Sequence, residues 1–283
     1  MTLADVACTP QRGKSIALSS MDRGPHFWRR LAWLGLLLVS SLYVVGLLEP
    51  FASSIATIDL AAADFAGASP FVAANTHRDV AGTNEGPAQL FGMESELVPD
   101  GALLDKWHRV LNAISEDMEA IAQCHAGKSC AASVQRLLEL SLKGAGRDER
   151  ARVGLINRAV DLAIRPASDE RQWGIQDHWS DPLETLDSRR GDCEDYAIVK
   201  YTALLAAGLS KDAVKLVVMK NQFPDEDHAV VAVWVDKQWL ILDNRTLTLV
   251  RDTDVRRAFP KFVLDDQGVR RFVWRSKVVK STS

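Results

Sequence analysis

Cys193 stands in the run Arg189-Arg190-Gly191-Asp192-Cys193-Glu194-Asp195-Tyr196-Ala197-Ile198, where residue types and spacing suit a nucleophile. A thiol in the first turn of a helix faces the positive end of the macrodipole and unpaired backbone N–H groups, and both favour the thiolate. Asp192, Glu194 and Asp195 crowd that position, so a buried apolar pocket describes it poorly. The same carboxylates would raise a thiol pKa unless a base or metal lay close by. A base exists in His228, 35 residues downstream at the start of HAVVAVWV, and Asp243 follows 15 residues later at the end of QWLILD, just before Asn244. If the two strands are hairpin neighbours, His228 and Asp243 share one sheet end, within reach of an orienting hydrogen bond. Singly, His228 could cap a loop and Asp243-Asn244 could form a turn. Together, Cys193, His228 and Asp243 make the nucleophile, base and orienter that acyl transfer through a thioester requires.

The elements that must position these residues follow from periodicity. Leu103, Leu104, Trp107, Val110, Leu111, Ile114, Met118 and Ile121 recur at three- and four-residue steps and predict an amphipathic helix. Further helices are expected over residues 131–142 and 148–164, the latter stopped by Pro166, and over 193–207 with Gly208 at its C-terminal end. The segment between them, with Trp173, Trp179 and Pro182, reads as a loop whose tryptophans anchor packing or wall a cleft. Strands are expected over residues 213–220, 228–235 and 238–242, with Asp236-Lys237 as a hairpin turn, and a further one over 271–279. Helices first and antiparallel strands later define an α+β domain, and no Gly-rich phosphate loop is present.

The chain carries 34 Lys plus Arg against 37 Asp plus Glu, a formal charge of −3, which removes the basic excess that nucleic-acid binding needs. Residues 31–48, LAWLGLLLVSSLYVVGLL, form 18 uncharged positions, long enough as a helix for about 27 Å. Arg23, Arg29 and Arg30 precede them, so the positive-inside rule leaves residues 1–30 in the cytoplasm and exports the remainder. The reading is an inner-membrane anchor, with a cleaved signal peptide starting at Met21 as the alternative. Residues 49–98 read as a flexible linker, and residues 99–283 as one domain. Export makes a local disulfide between Cys124 and Cys130 expected, whereas Cys8 falls on the cytoplasmic side.

The blocks Trp173-Gly174-Ile175 to Trp179, Pro182-Leu183-Glu184-Thr185-Leu186, Gly191-Asp192-Cys193-Glu194-Asp195-Tyr196, His228-Ala229-Val230 and Leu242-Asp243-Asn244 resemble the bacterial transglutaminase-like cysteine proteinase family, whose best-described members are LapG-type periplasmic proteases. The resemblance covers residues 103–262. It implies a papain- or transglutaminase-like core in which Cys193 is nucleophile, His228 general base and then acid, and Asp243 the imidazole's orienter. It also implies an exported protein substrate, a large adhesin whose release governs biofilm, and an inner-membrane receptor that senses cyclic di-GMP.

Calcium is a further implication of the resemblance, and Asp192, Glu194 and Asp195 supply the hard oxygen ligands that Ca²⁺ prefers. A cation there would offset the acidic crowding at Cys193. These carboxylates cannot fill its coordination shell alone, so backbone carbonyls, water and Asp177 or Asp225 are the expected further contributors. Two rival readings keep the fold: a transglutaminase-like acyl transferase, in which an amine resolves the thioester, and a membrane-tethered binding module without turnover.

Overall fold

The computed structural model describes residues 87–274. The expected leader, apolar span, Cys8, most of the linker and the end of the last expected strand lie outside them. Among the described residues no helix is long and apolar enough to cross a membrane.

The chain enters through a 3-10 turn, Leu90–Gly92, and strand β1 (Glu94–Leu97), so this part of the stretch expected to be linker belongs to the domain. Its sequence lacks alternating apolar residues because β1 is a largely exposed edge strand. Helix α1 (Ala102–His125) buries Leu103, Trp107, Val110, Ile114 and Ile121, the stripe its periodicity predicts. The Trp107 indole N–H donates to the Asp265 carbonyl at 2.7 Å, which satisfies its polar atom in the core. A Cys124–Cys130 disulfide, with Cα atoms 5.4 Å apart, closes the connection to α2 (Ala132–Ser141). Helix α3 (Glu149–Ala163) starts where the Asp148 carboxylate accepts the Ala151 N–H. It ends before β2 (Arg165–Pro166), where proline cannot continue a helix.

Two short helices, α4 (Asp169–Trp173) and α5 (Pro182–Ser188), occupy the stretch expected to be loop. Neither is long enough to display an apolar stripe, although Pro182 in the first turn is a start signal. After β3 (Arg190–Gly191) comes α6 (Cys193–Ala206), buried at every position but Leu205.

Strands β4 (Val214–Asn221), β5 (Asp227–Val235), β6 (Gln238–Leu242), β7 (Val250–Arg251), β8 (Ala258–Asp265) and β9 (Gly268–Val273) join β1 in an antiparallel sheet of order β1-β9-β8-β4-β5-β6-β7. The β5–β6 hairpin turns at Asp236 and Lys237, both at positive φ. Sequence reading misses the interior strand β8, whose pattern is broken by Pro260 and by a register shift against β4 between Val218 and Met219. Side chains alternate across the sheet. Leu216, Val218, Val231, Val233, Leu240 and Leu264 pack with the helices in the main core, while Val217, Met219, Val230, Ala232, Trp239 and Ile241 form a second layer closed by Leu90. Helices packed on one antiparallel sheet are the α+β architecture expected from the order of elements.

Candidate active site

The backbone before Cys193 is tied on both sides. Arg189, at φ 53°, ends α5 in the left-handed region, and β3 then pairs with β2 in parallel. The Arg165 N–H donates to the Arg189 carbonyl and the Ala167 N–H to the Gly191 carbonyl, each at 2.9 Å. Asp192 is the N-cap of α6, and the Asp195 carboxylate folds back to accept the Asp192 N–H at 3.2 Å. Asp195 also accepts the Ser180 N–H at 2.9 Å, joining α6 to the segment before α5. A methyl group on Gly191 would lie within 2.6 Å of the Asp195 carboxylate and its Cβ, so this close approach requires glycine. Cys193 is thereby the first residue of α6, where backbone N–H groups have no intrahelical acceptor.

The β5–β6 ladder ends at Val231 opposite Leu242. Asp243 is one residue beyond and faces the same side as His228, and His228 Nε2 lies 2.9 Å from Asp243 Oδ1. His228 is 2% exposed, and its Nδ1 has no hydrogen-bond partner among the described residues. An ionised Asp243 accepts only, so Nε2 carries the proton of neutral His228 and Nδ1 is the basic atom. The adjacent Ala229 N–H donates to Cys193 Sγ at 3.1 Å, which brings the cysteine to the same sheet end. Burial acts to raise the Asp243 pKa. The His228 hydrogen bond and charge, with the Arg245 N–H and guanidinium, outweigh burial and hold it below the usual carboxylate value.

A second constellation lies under the first turn of α6. One carboxylate oxygen each from Asp169, Asp192 and Asp195 lie within 4.8 Å of one another, as do one each from Asp169, Asp177 and Glu194. Asp177 Oδ1, Asp192 Oδ1 and Glu194 Oε1 are buried without a hydrogen-bond partner. Burial, followed by the neighbouring carboxylates, pushes Glu194 and Asp195 well above their ordinary values. Asp192 is pushed up to about 7, chiefly by burial. Lys106 pairs with Asp177, and the His178 N–H donates to Asp169. Orphaned, buried oxygens of a hard donor set fit a divalent cation. Of the two further ligands considered from sequence, Asp177 joins the cluster, whereas Asp225 is exposed and paired with Lys220 at 3.0 Å. Asp169 was missed. It opens a five-residue helix in an aperiodic stretch, and only the fold brings it to Asp192. Trp179 is fully buried, an anchor of the core, and Trp173 is 36% exposed with its ring against His178.

A cysteine at a helix N-terminus beside a strand-borne histidine, with an aspartate just past the neighbouring strand, is the arrangement of cysteine peptidases of papain or transglutaminase architecture. The family model described as bacterial transglutaminase-like cysteine proteinase matches residues 119–274, more than half of the chain, and the chain belongs to that family. The protein is accordingly a cysteine peptidase. Among solved structures, calcium-bound LapG of Legionella pneumophila is similar at 20% identity and a TM-score of 0.46, with 59% of this chain and 93% of that one covered. EGTA-treated LapG of the same organism is similar at 19% identity and a TM-score of 0.44, covering 58% and 87%. A comparison with curated proteins finds no match.

Proposed function

We propose that the domain hydrolyses a peptide bond of an exported protein with Cys193 as nucleophile, His228 as base and then acid, and Asp243 as orienter. The observation that carries this reading is the meeting of Cys193 Sγ with the Ala229 N–H while the next residue back, His228, is held by Asp243. The Cys193 thiol gives its proton to His228 Nδ1, and the sulfur attacks the scissile carbonyl carbon. The Cys193 N–H supplies one hydrogen bond to the developing oxyanion. Imidazolium then protonates the leaving amine, leaving a thioester. Water, deprotonated by His228, releases the new carboxylate and returns the thiol.

Asp169, Asp177, Asp192, Glu194 and Asp195 would hold Ca²⁺, which when bound neutralises the carboxylates packed beneath the nucleophile. The substrate in this reading is a large surface adhesin cut near its N-terminus in control of biofilm. The enzyme works in the periplasm, tethered by residues 31–48 and held by an inner-membrane receptor that senses cyclic di-GMP.

The test is cleavage of an adhesin N-terminal fragment, under reductant, by wild type, Cys193→Ala, and wild type with a calcium chelator. Loss of cleavage in both controls is expected. If wild type incorporates an amine into a glutamine peptide and leaves the fragment whole, the acyl-transferase reading replaces this one. A folded wild type whose reduced Cys193 ignores alkylating agents at neutral pH would leave the binding-module reading.

A further inference from the structure

The geometry points to Arg245 and Glu226 as a positioning clasp that fixes His228 against Asp243, an inference that rests on the catalytic assignment above. Arg245 Nη2 and Glu226 Oε1 are 2.6 Å apart, and the two side chains are only 19% and 10% exposed. Each partner leads to one member of the pair. Glu226 lies two residues before His228, in a loop held by the Asn221 N–H on the Glu226 carbonyl and the Glu226 N–H on the Pro224 carbonyl, each at 2.9 Å. Arg245 lies two residues after Asp243, and its backbone N–H donates to Asp243 Oδ1 at 2.9 Å, the same oxygen that faces His228 Nε2.

The clasp has a task because the ladder stops short. Strands β5 and β6 are last paired at Val231 and Leu242; β4 still holds His228 opposite Met219, whereas Asp243 stands beyond every rung. A strand end without rungs, as on the Asp243 side, opens at low free-energy cost. A largely desolvated guanidinium–carboxylate pair closes the ring on the far side of the dyad, with His228 and Asp243 between the last rung and the clasp. Arg245 also bonds Asp243 Oδ1 along the carboxylate's own turn, leaving His228 Nε2 as that oxygen's cross-strand partner. Neither side chain of the clasp contacts His228, Asp243 or Cys193 in a hydrogen bond among the described residues, so apart from the guanidinium's charge on Asp243 its action is on placement. An error of about 1 Å in such placement costs on the order of a hundredfold in rate.

The experiment uses the full chain under reductant with Arg245→Gln, Glu226→Gln, the double variant and Arg245→Lys. It reads kcat and KM on a cleavable protein substrate, and the His228 tautomer by ¹⁵N NMR. The expected result is a fall in kcat of about tenfold to a hundredfold in each single variant with KM nearly unchanged. The double variant should be no worse than either single one, Arg245→Lys should recover part of the loss, and the Nε2–H tautomer should give way to a mixture. Additive losses, or unchanged kcat and tautomer in folded single variants, would overturn the clasp. Should wild type hold the Nε2–H tautomer and yet neither cleave nor incorporate an amine, the catalytic assignment falls, and the tautomer of the variants alone decides the clasp.

Discussion

The N–H of Ala229 reaches across 36 positions of chain to the Sγ of Cys193, at 3.1 Å. The donor is the peptide that also carries the His228 carbonyl carbon, so imidazole and sulfur are held by neighbouring atoms of one strand. With Ala229 fixed in the ladder opposite Val218, the sulfur's position is referred to the centre of the sheet.

Removing the His228 imidazole, the proposed base, should therefore be read first at the sulfur. His228→Asn is expected to slow iodoacetamide alkylation of reduced Cys193 at pH 7 by about tenfold or more. Asp243→Asn should leave alkylation slowed but measurable, because the imidazole stays and only its orientation is lost. Equal alkylation rates in all three proteins would separate Cys193 from His228.

Gly191→Ala should cost on the order of 1–3 kcal/mol of stability, because its methyl group meets Asp195 where that carboxylate holds both the Asp192 and Ser180 N–H groups. Thermal denaturation checks the loss. The companion Gly154→Ala, whose nearest new neighbour is Leu249 at 3.8 Å in a helix interior, should be neutral or stabilising.

Asp169→Asn and Asp177→Asn should each weaken calcium binding at least tenfold in titration calorimetry, although neither is in the Gly191–Tyr196 block. The proton balance has a defined sign. Asp192, raised to about 7, stays protonated in the folded, cation-free protein at pH values where it would ionise in the unfolded chain. Its contribution to stability is thus full at low pH and lost as pH rises from the ordinary carboxylate range through about 7. Calcium should restore stability on the neutral side and release protons as it binds.

Asp117 offers a pH test away from the site. Burial, then the charges of Asp181 and Glu116, raise it to about 7, and its Oδ2 is buried without a partner. A carboxyl raised in the folded state favours folding below its unfolded pKa and loses that contribution as pH rises through about 7. Asp117→Asn should accordingly raise the melting temperature more at pH 8 than at pH 5, by an amount on the order of 1 kcal/mol at the higher pH. A larger gain at pH 5 would refute it.

The readable parts of this sequence are those where one physical pattern dominates. The stripe from Leu103 to Ile121 and the two-residue turn at Asp236-Lys237 announce α1 and the β5–β6 hairpin, and the hairpin carries His228 towards Asp243. Strand β1 leaves no such trace because an exposed edge needs no apolar face, and Pro260 interrupts the alternation of β8. Asp169 reaches the acidic cluster from a five-residue helix in an aperiodic stretch, for which neither the 3.6 nor the 2 period applies, whereas Asp177 is legible by its hard-oxygen chemistry alone.

Helix α6 is enclosed along almost its whole length, with Tyr196, Ile198, Val199, Tyr201 and Leu204 all in the core. Its first residue is the proposed nucleophile. Tilting or withdrawing that residue would therefore tear the largest apolar cluster of the domain, at a cost comparable with unfolding it. An architecture of this kind suits a blade that is always drawn: restraint is exerted most cheaply by a sheath over the mouth of the site.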